Sequence, residues 1–360
     1  MRIAQVSPLY EEVPPRRYGG TERVIGALCD GLVEAGHDVT LFAPSSSVTK
    51  ARLEPMGLPL RERMSRSELT HVAPHLHLQM LADVYRRAEE FDLVHSHVDV
   101  WTLPFAEHAT TPSLLTMHGR LDTEYVQAIL PLYPTIPLAS VSDSQRGPLD
   151  RHPLRWAGTV YNGLDLGRYH KEAHRSEGHL AFVGRISHEK GPTLAIEVAR
   201  RTGRSLRIGA KVDPMDVEYF ESEVEPLLGA GAEFVGEVRE EDKPQFFASA
   251  AATLFPSDWP EPFGLVMIES LAAGTPVIAL RRGSVPEVLT HGVTGFICDD
   301  VDDMVRAVGR IDSIDPEACR ARALEFGADV MCARYESVYD AILSQELSGN
   351  RRQSVRGWSD

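Results

Sequence analysis

The sequence predicts an α/β protein in two halves, each a parallel, doubly wound sheet flanked by helices. Three observations lead there. At 360 residues the chain is long enough for two domains, each with its own core. Short apolar runs alternate regularly with amphipathic helical stretches. That alternation lapses over the polar, charged stretch 165–177 and then restarts.

In the first half, 3–7 reads as a strand, followed by a long loop, 8–18, holding Pro8, Pro14, Pro15 and Arg16-Arg17. Gly19-Gly20 then opens an amphipathic helix through Val24, Leu28, Leu32 and Val33, with Thr21 as its N-cap. Gly36 ends it, and 39–43 forms the second strand. The stretch 60–74 is polar and aperiodic, hence loop; 78–90 is helical. Runs 93–94 and 114–117 are strands, each followed by histidines, and 138–141 and 159–161 are further strands. A linker carrying His170, Lys171, His174 and Arg175 fills 165–177. In the second half, strands fall at 180–183, 206–209, 234–235, 251–255 and 277–280. Helices fall at 192–200, 214–228, 243–250 and from Phe263, where Leu265, Ile268, Leu271 and Ala272 share a face until Gly274 and Pro276 stop it. Closing helices cover 302–309, 316–326 and 330–347, before a polar, disordered tail over 348–360. The domains expected are thus 1–165 and 178–329.

Composition narrows the class. Hydrophobic residues make up 43% and charged residues 25%, as in ordinary globular chains. A net charge of −15 disfavours nucleic acid and anionic membranes as main partners. Cys29, Cys298, Cys319 and Cys332 lack metal-ligand spacing and read as reduced thiols of a cytoplasmic protein. The opening residues are too short an apolar run for a signal-peptide core, and no run of about 18 apolar residues occurs to span a membrane.

The stretch 256–274 concentrates the chemistry. After an apolar strand comes an acidic, Pro-rich elbow, then a helix whose free amides at Phe263, Gly264 and Leu265 suit a phosphate. Gly264 lets a ligand approach the backbone. Glu261, before the helix, and Glu269, about two turns in, suit sugar hydroxyls. Phosphate and sugar together describe a nucleotide-sugar. A plain strand–turn–helix with glutamates favouring the helix dipole accounts for the same pattern. Arg185 and Lys190 follow the first strand of the second half, where open α/β sheets bind ligands; the alternative is a solvated loop. Gly19 and Gly20 permit close approach of an anion, or simply make a flexible turn; they do not form a dinucleotide fingerprint. His95, His97 and His118 raise a rival, a metal-dependent hydrolase, although further ligands are not evident. The Asp299-Asp300-Val301-Asp302-Asp303 run precedes a helix and is explained by N-capping, so no metal is assigned to it.

Taken in order, these segments resemble the family 4 retaining glycosyltransferases of GT-B architecture, over nearly the whole chain. The resemblance rests on Gly19-Gly20 with Glu22, Gly36-His37-Asp38-Val39, His95-x-His97 and Thr116-Met117-His118-Gly119. It continues through Asn162-Gly163-Leu164-Asp165, Gly184-Arg185 with Lys190-Gly191, Glu261-seven residues-Glu269, Gly274-Thr275-Pro276-Val277 and Gly292-Val293-Thr294-Gly295. It implies two facing Rossmann-like domains with an interdomain cleft, the nucleotide-sugar donor mostly on the second. Arg185 and Lys190 would neutralise the diphosphate, helped by the amides of 263–265. Glu261 would contact the transferred sugar, Glu269 the ribose, and the strand end near Val238 the base. Gly19 and Gly20 would close over the phosphate, His118 would hydrogen-bond the sugar, and His97 would lie on the acceptor or sugar side. The last helix, 330–347, would return to the first domain. The implied reaction retains the anomeric configuration and needs no metal or other cofactor. A UDP-sugar is the donor expected, with the acceptor unnamed. A non-catalytic sugar-nucleotide binder is the other alternative.

Overall fold

The structure, a computed structural model, describes residues 1–16, 19–169 and 178–356. The chain divides into two units. The first takes in Met1–Pro15, Gly19–Gly163 and the chain from Ala328; the second is built on Leu164–Gly327.

The first unit holds seven parallel strands: β1 (Arg2–Val6), β2 (Asp38–Ala43), β3 (Arg52–Pro55), β4 (Leu93–Ser96), β5 (Ser113–Met117), β6 (Leu138–Ser140) and β7 (Trp156–Thr159). Their order is β3-β2-β1-β4-β5-β6-β7, so the winding reverses between β1 and β4. The central strands are buried on both faces, which is why they read as near-continuous apolar runs. The helix Gly20–Glu34 buries Val24, Ile25, Leu28 and Leu32. Its N-cap is Gly19, not Thr21: the Gly19 carbonyl already accepts the Arg23 amide at 3.2 Å, so the helix starts ahead of the threonine. The stretch expected as loop over 60–74 is also helical, as Leu60–Arg63, Arg66–His71 and the start of Ala73–Arg86. Ser65 and Glu68 form a capping box there, and the two short helices are too brief to show a period.

The second unit holds six parallel strands: β8 (Leu180–Arg185), β9 (Leu206–Lys211), β10 (Ala232–Gly236), β11 (Ala252–Phe255), β12 (Val277–Leu280) and β13 (Gly295–Cys298). The order β10-β9-β8-β11-β12-β13 repeats the pattern, with its reversal between β8 and β11. The helix expected over 214–228 is broken into Val217–Tyr219, a π turn at Phe220–Val224 and a 3₁₀ turn at Glu225–Leu227. Pro226 lacks the amide that a continuous helix needs. Asp300 caps Val301–Val308 by accepting the Asp303 amide at 2.8 Å, the role expected of that acidic run.

Of the linker expected over 165–177, residues 170–177, with His170, Lys171, His174 and Arg175, lie outside the described residues. The preceding part is no loose tether: Leu164, Leu166 and Tyr169 are buried, and Leu164 bridges to Gly327. The last helix, Ala328–Arg356, belongs to the first unit, where its Cys332 packs on Gly31 of the helix Gly20–Glu34. It runs on through much of 348–360, expected as a disordered tail; an established helix gains one hydrogen bond for each residue added. Residues 357–360 lie outside the described set. Among the described residues no helix is long and apolar enough to cross a membrane.

Candidate active site

The reversal point of the second sheet gathers most of the expected residues. Arg185 ends β8, and the chain turns through His188–Lys190 and Gly191 into the helix Pro192–Thr202. Across the reversal, β11 leads into the elbow 256–264. Backbone ties hold the two together: the Glu189 carbonyl accepts the Asp258 amide at 3.0 Å and the Ser257 hydroxyl at 3.1 Å. Gly191 adopts φ 67°, and a Cβ there would lie 2.5 Å from the Pro256 carbonyl oxygen. Only glycine lets the loop lie this close to the elbow.

The charges of the two segments interlock. Lys190 Nζ contacts Glu261 Oε2, and Trp259 Nε1–H donates to the same oxygen at 2.7 Å. The ammonium also lies 4.9 Å from the Trp259 ring centre, over its face. Arg185 pairs with Glu189 and, at 3.3 Å, with Asp216. Each cation expected to meet phosphate thus carries a carboxylate partner, and each pair is only partly exposed. Sequence reasoning did not single out Trp259, although it stands in the acidic elbow itself.

The helix beyond the elbow is Leu265–Ala272, starting two residues later than expected, with Gly264 as its N-cap at φ 81°. A Cβ on Gly264 would lie 2.8 Å from Met267 Cε, the end of a flexible side chain that can give way, so it is the positive φ that favours glycine here whatever ligand approaches. Phe263 is buried edge-on against Phe326 and does not present its side chain to a ligand. Glu269 lies little more than one turn into the helix rather than two, because the helix starts late. Its carboxylate is buried, and Oε1 accepts from the Tyr169 hydroxyl and Lys243 Nζ, both at 2.9 Å. Lys243 also reaches Glu240 at 3.0 Å. A carboxylate at this depth requires such partners, yet Tyr169 and Lys243 lie too far from it in sequence to give a local signal. Val238 stands apart, past β10, lining a cavity of roughly 650 Å³ with Arg207, Val235, Glu237 and Phe246.

Gly19, Gly20, His97 and His118 belong to the first unit. Gly19 caps the helix that Gly20 begins. The histidines join a hydrogen-bonded relay at the reversal between β1 and β4. His118 Nε2 lies 2.8 Å from His97 Nδ1, and His97 Nε2 2.9 Å from Gln5 Oε1. Gln5 Nε2 donates to the Tyr339 hydroxyl at 3.1 Å, which meets His95 Nδ1 at 2.7 Å. His95 Nε2 meets Thr116 Oγ1 at 2.7 Å, and Thr116 meets the Tyr335 hydroxyl at 2.9 Å. Burial pushes the pKa values of His95 and His97 well below the usual imidazole range, and that of His118 to about 4. His97, expected on the acceptor or sugar side, is 3% exposed, with one ring nitrogen engaged by His118 and the other by Gln5. The hydrolase alternative finds no support. Both ring nitrogens of His95 and His97 face protein partners, and the described residues hold no cluster of three or more ligands fit for a metal ion.

Two Rossmann-ordered parallel sheets in one chain define the GT-B class. Comparisons with known proteins agree. The model described as Glycosyltransferase Family 4 matches residues 18–168, and Glycosyl transferases group 1 matches 170–317. The chain belongs to the family 4, group 1 glycosyltransferases. It is 28% identical to a glycogen synthase of Mycobacterium tuberculosis (strain ATCC 25618 / H37Rv), over 90% of this chain and 88% of that one. It is 24% identical to D-inositol 3-phosphate glycosyltransferase of Corynebacterium efficiens, over 99% and 100%. Among solved structures, AviGT4, a glycosyltransferase involved in avilamycin A biosynthesis, superposes with a TM-score of 0.70 at 26% identity, covering 96% of this chain and 98% of that one. Anabaena HepE, solved with UDP-glucose, shares the fold at TM-score 0.69 and 18% identity, over 97% and 100%.

Proposed function

We propose that the chain transfers a sugar from a nucleotide-diphosphate-sugar, a UDP-sugar being the favoured donor, to an acceptor with retention of configuration and without a metal. One observation carries the reading: where the second sheet reverses, Lys190 is paired with Glu261, which stands just ahead of the helix Leu265–Ala272, and Arg185, at the end of β8, is paired with Glu189 and Asp216. A diphosphate entering there takes over contacts that Glu189, Asp216 and Glu261 make with the cations. Glu261, relieved of Lys190, turns to the sugar's hydroxyls while Trp259 keeps it oriented, and Glu269 serves the ribose. The bond from the anomeric carbon to the phosphate oxygen breaks, and the acceptor oxygen bonds to the same face. The acceptor's proton passes to the departing phosphate oxygen. Positioning and charge stabilisation do the catalysis. HepE holds UDP-glucose on the same fold, which supports uridine as the base to try first.

The test is thermal-shift binding of UDP, GDP, ADP and their sugars, with and without chelator, followed by transfer assays. A ligand held only by the folded chain raises its melting temperature. Stabilisation by uridine nucleotides that chelator does not change is expected, and Lys190→Ala should lower kcat/KM by about 10²- to 10³-fold. Unchanged transfer in Lys190→Ala and Glu261→Ala would sink the reading.

A further inference from the structure

The relay beneath His118 has a direction, and Gln5 sets it. A hydroxyl can turn its proton towards either neighbour, and a neutral imidazole can carry its proton on either nitrogen. A primary amide cannot exchange roles in place: its oxygen only accepts and its nitrogen only donates. Gln5 Oε1 faces His97 Nε2 at 2.9 Å, so that nitrogen carries the His97 proton. A neutral ring has one N–H, so His97 Nδ1 is bare. His118 Nε2 lies 2.8 Å from this bare nitrogen and donates to it. The proton of His118 is thereby spent inward, and its Nδ1 is left as an acceptor. On the other side, Gln5 Nε2 donates to the Tyr339 hydroxyl, which turns its own proton to His95 Nδ1. The amide is thus held from both ends.

We propose that Gln5 is a positioning residue that, through His97, fixes His118 as the tautomer protonated on Nε2, so that Nδ1 offers a lone pair to a substrate hydroxyl. What Nδ1 meets rests on the transferase reading of the site; the tautomer itself does not. A ring fixed in this way accepts from a hydroxyl and cannot donate to an oxygen that lacks a proton. It therefore favours a sugar bearing a hydroxyl at that position over its deoxy analogue, whose place would leave a polar nitrogen unmatched. Burial supports the chain of deductions, since it holds both rings neutral: His97 is well below the usual range and His118 near 4.

The experiment is long-range ¹H–¹⁵N correlation on protein labelled at histidine, near pH 7, with signals assigned through His118→Gln and His97→Gln. A bare ring nitrogen resonates far downfield of a protonated one. His97 and His118 should each show a protonated Nε2 and a bare Nδ1. Gln5→Leu, if it folds, should replace these fixed patterns with averaged ones. It should also lower kcat/KM for transfer by about tenfold, the loss of one neutral hydrogen bond, while nucleotide binding stays intact. A protonated Nδ1 on His118 would overturn the proposal, because it means the amide is turned over and every bond in the relay reversed. An unchanged His118 pattern in Gln5→Leu would equally overturn it. The wild-type spectrum decides the tautomer even if the variant does not fold. Fixed tautomers together with full transfer by His118→Ala would uphold the assignment and remove His118 from the sugar site, so the two readings fail separately.

Discussion

At the scale of single residues, burial decides protonation. His77 is fully buried beneath the loop that follows β1, donating from Nδ1 to the Ala73 carbonyl at 2.8 Å and accepting the Leu9 amide on Nε2 at 2.9 Å. Desolvation pushes its pKa from 6.5 down to about 4. The unfolded chain takes up this proton below pH 6.5, whereas the folded chain resists until about pH 4. The stabilising contribution is therefore complete above pH 6.5 and drains away as the pH falls towards 4, reaching up to about 3 kcal/mol. Melting temperatures measured from pH 7 to 4.5 should fall more steeply for the wild type than for His77→Gln. Parallel slopes would remove His77 as the cause. The same physics shows why the histidines at the ends of β4 and β5 were ambiguous in the sequence. Their spacing suits metal ligands, and only their neighbours, Gln5 and Tyr339, far away in the chain, reveal that their nitrogens are spoken for.

At the scale of elements, the loop and elbow at the β8/β11 reversal work as one piece. Gly191→Ala should show this against Gly203→Ala as control. Both positions have similar positive φ, 67° and 65°, but a Cβ at Gly203 meets nothing within 4 Å while one at Gly191 meets the Pro256 carbonyl. Each pays roughly 1–2 kcal/mol for the backbone conformation. Gly191→Ala should lose more than that in a denaturant melt and also weaken nucleotide binding; equal losses and equal binding would mean the loop and elbow move independently. Elements of this kind were legible where period and burial agree: the βα alternation, the helix beyond the elbow (though not its start at Leu265) and the cap from the 299–303 acidic run all follow from local pattern. Elements failed to show where neither signal is strong. The edge strand β3 has no buried residue and mixes polar with apolar side chains, and Arg66–His71 announces itself only by its Ser65–Glu68 cap. The Arg185–Lys190 and Glu261–Glu269 motifs were readable in the sequence because each is contiguous. Trp259, Lys243 and Tyr169 were not, because their roles come from packing alone.

At the scale of the whole molecule, the first unit is assembled from both ends of the described chain, with the second inserted between Gly163 and Ala328. Tyr335 and Tyr339 of the last helix close the histidine relay and are wholly buried. A chain cut after Gly327 leaves Gln5 and His95 without these partners, at about 1–3 kcal/mol for each buried group left unmatched. Hydrogen exchange on such a chain should show β1, β4 and β5 unprotected while β8 to β13 keep their protection; protection retained in both sheets would show that the last helix is dispensable. This threading also has a consequence for synthesis. Domains generally fold as units while the chain emerges, yet β1, made before the whole second unit, waits on residue 339 to satisfy its glutamine. Of the two units, the one whose synthesis starts earlier is therefore the one completed later, and until then it is the one that more needs shelter from aggregation.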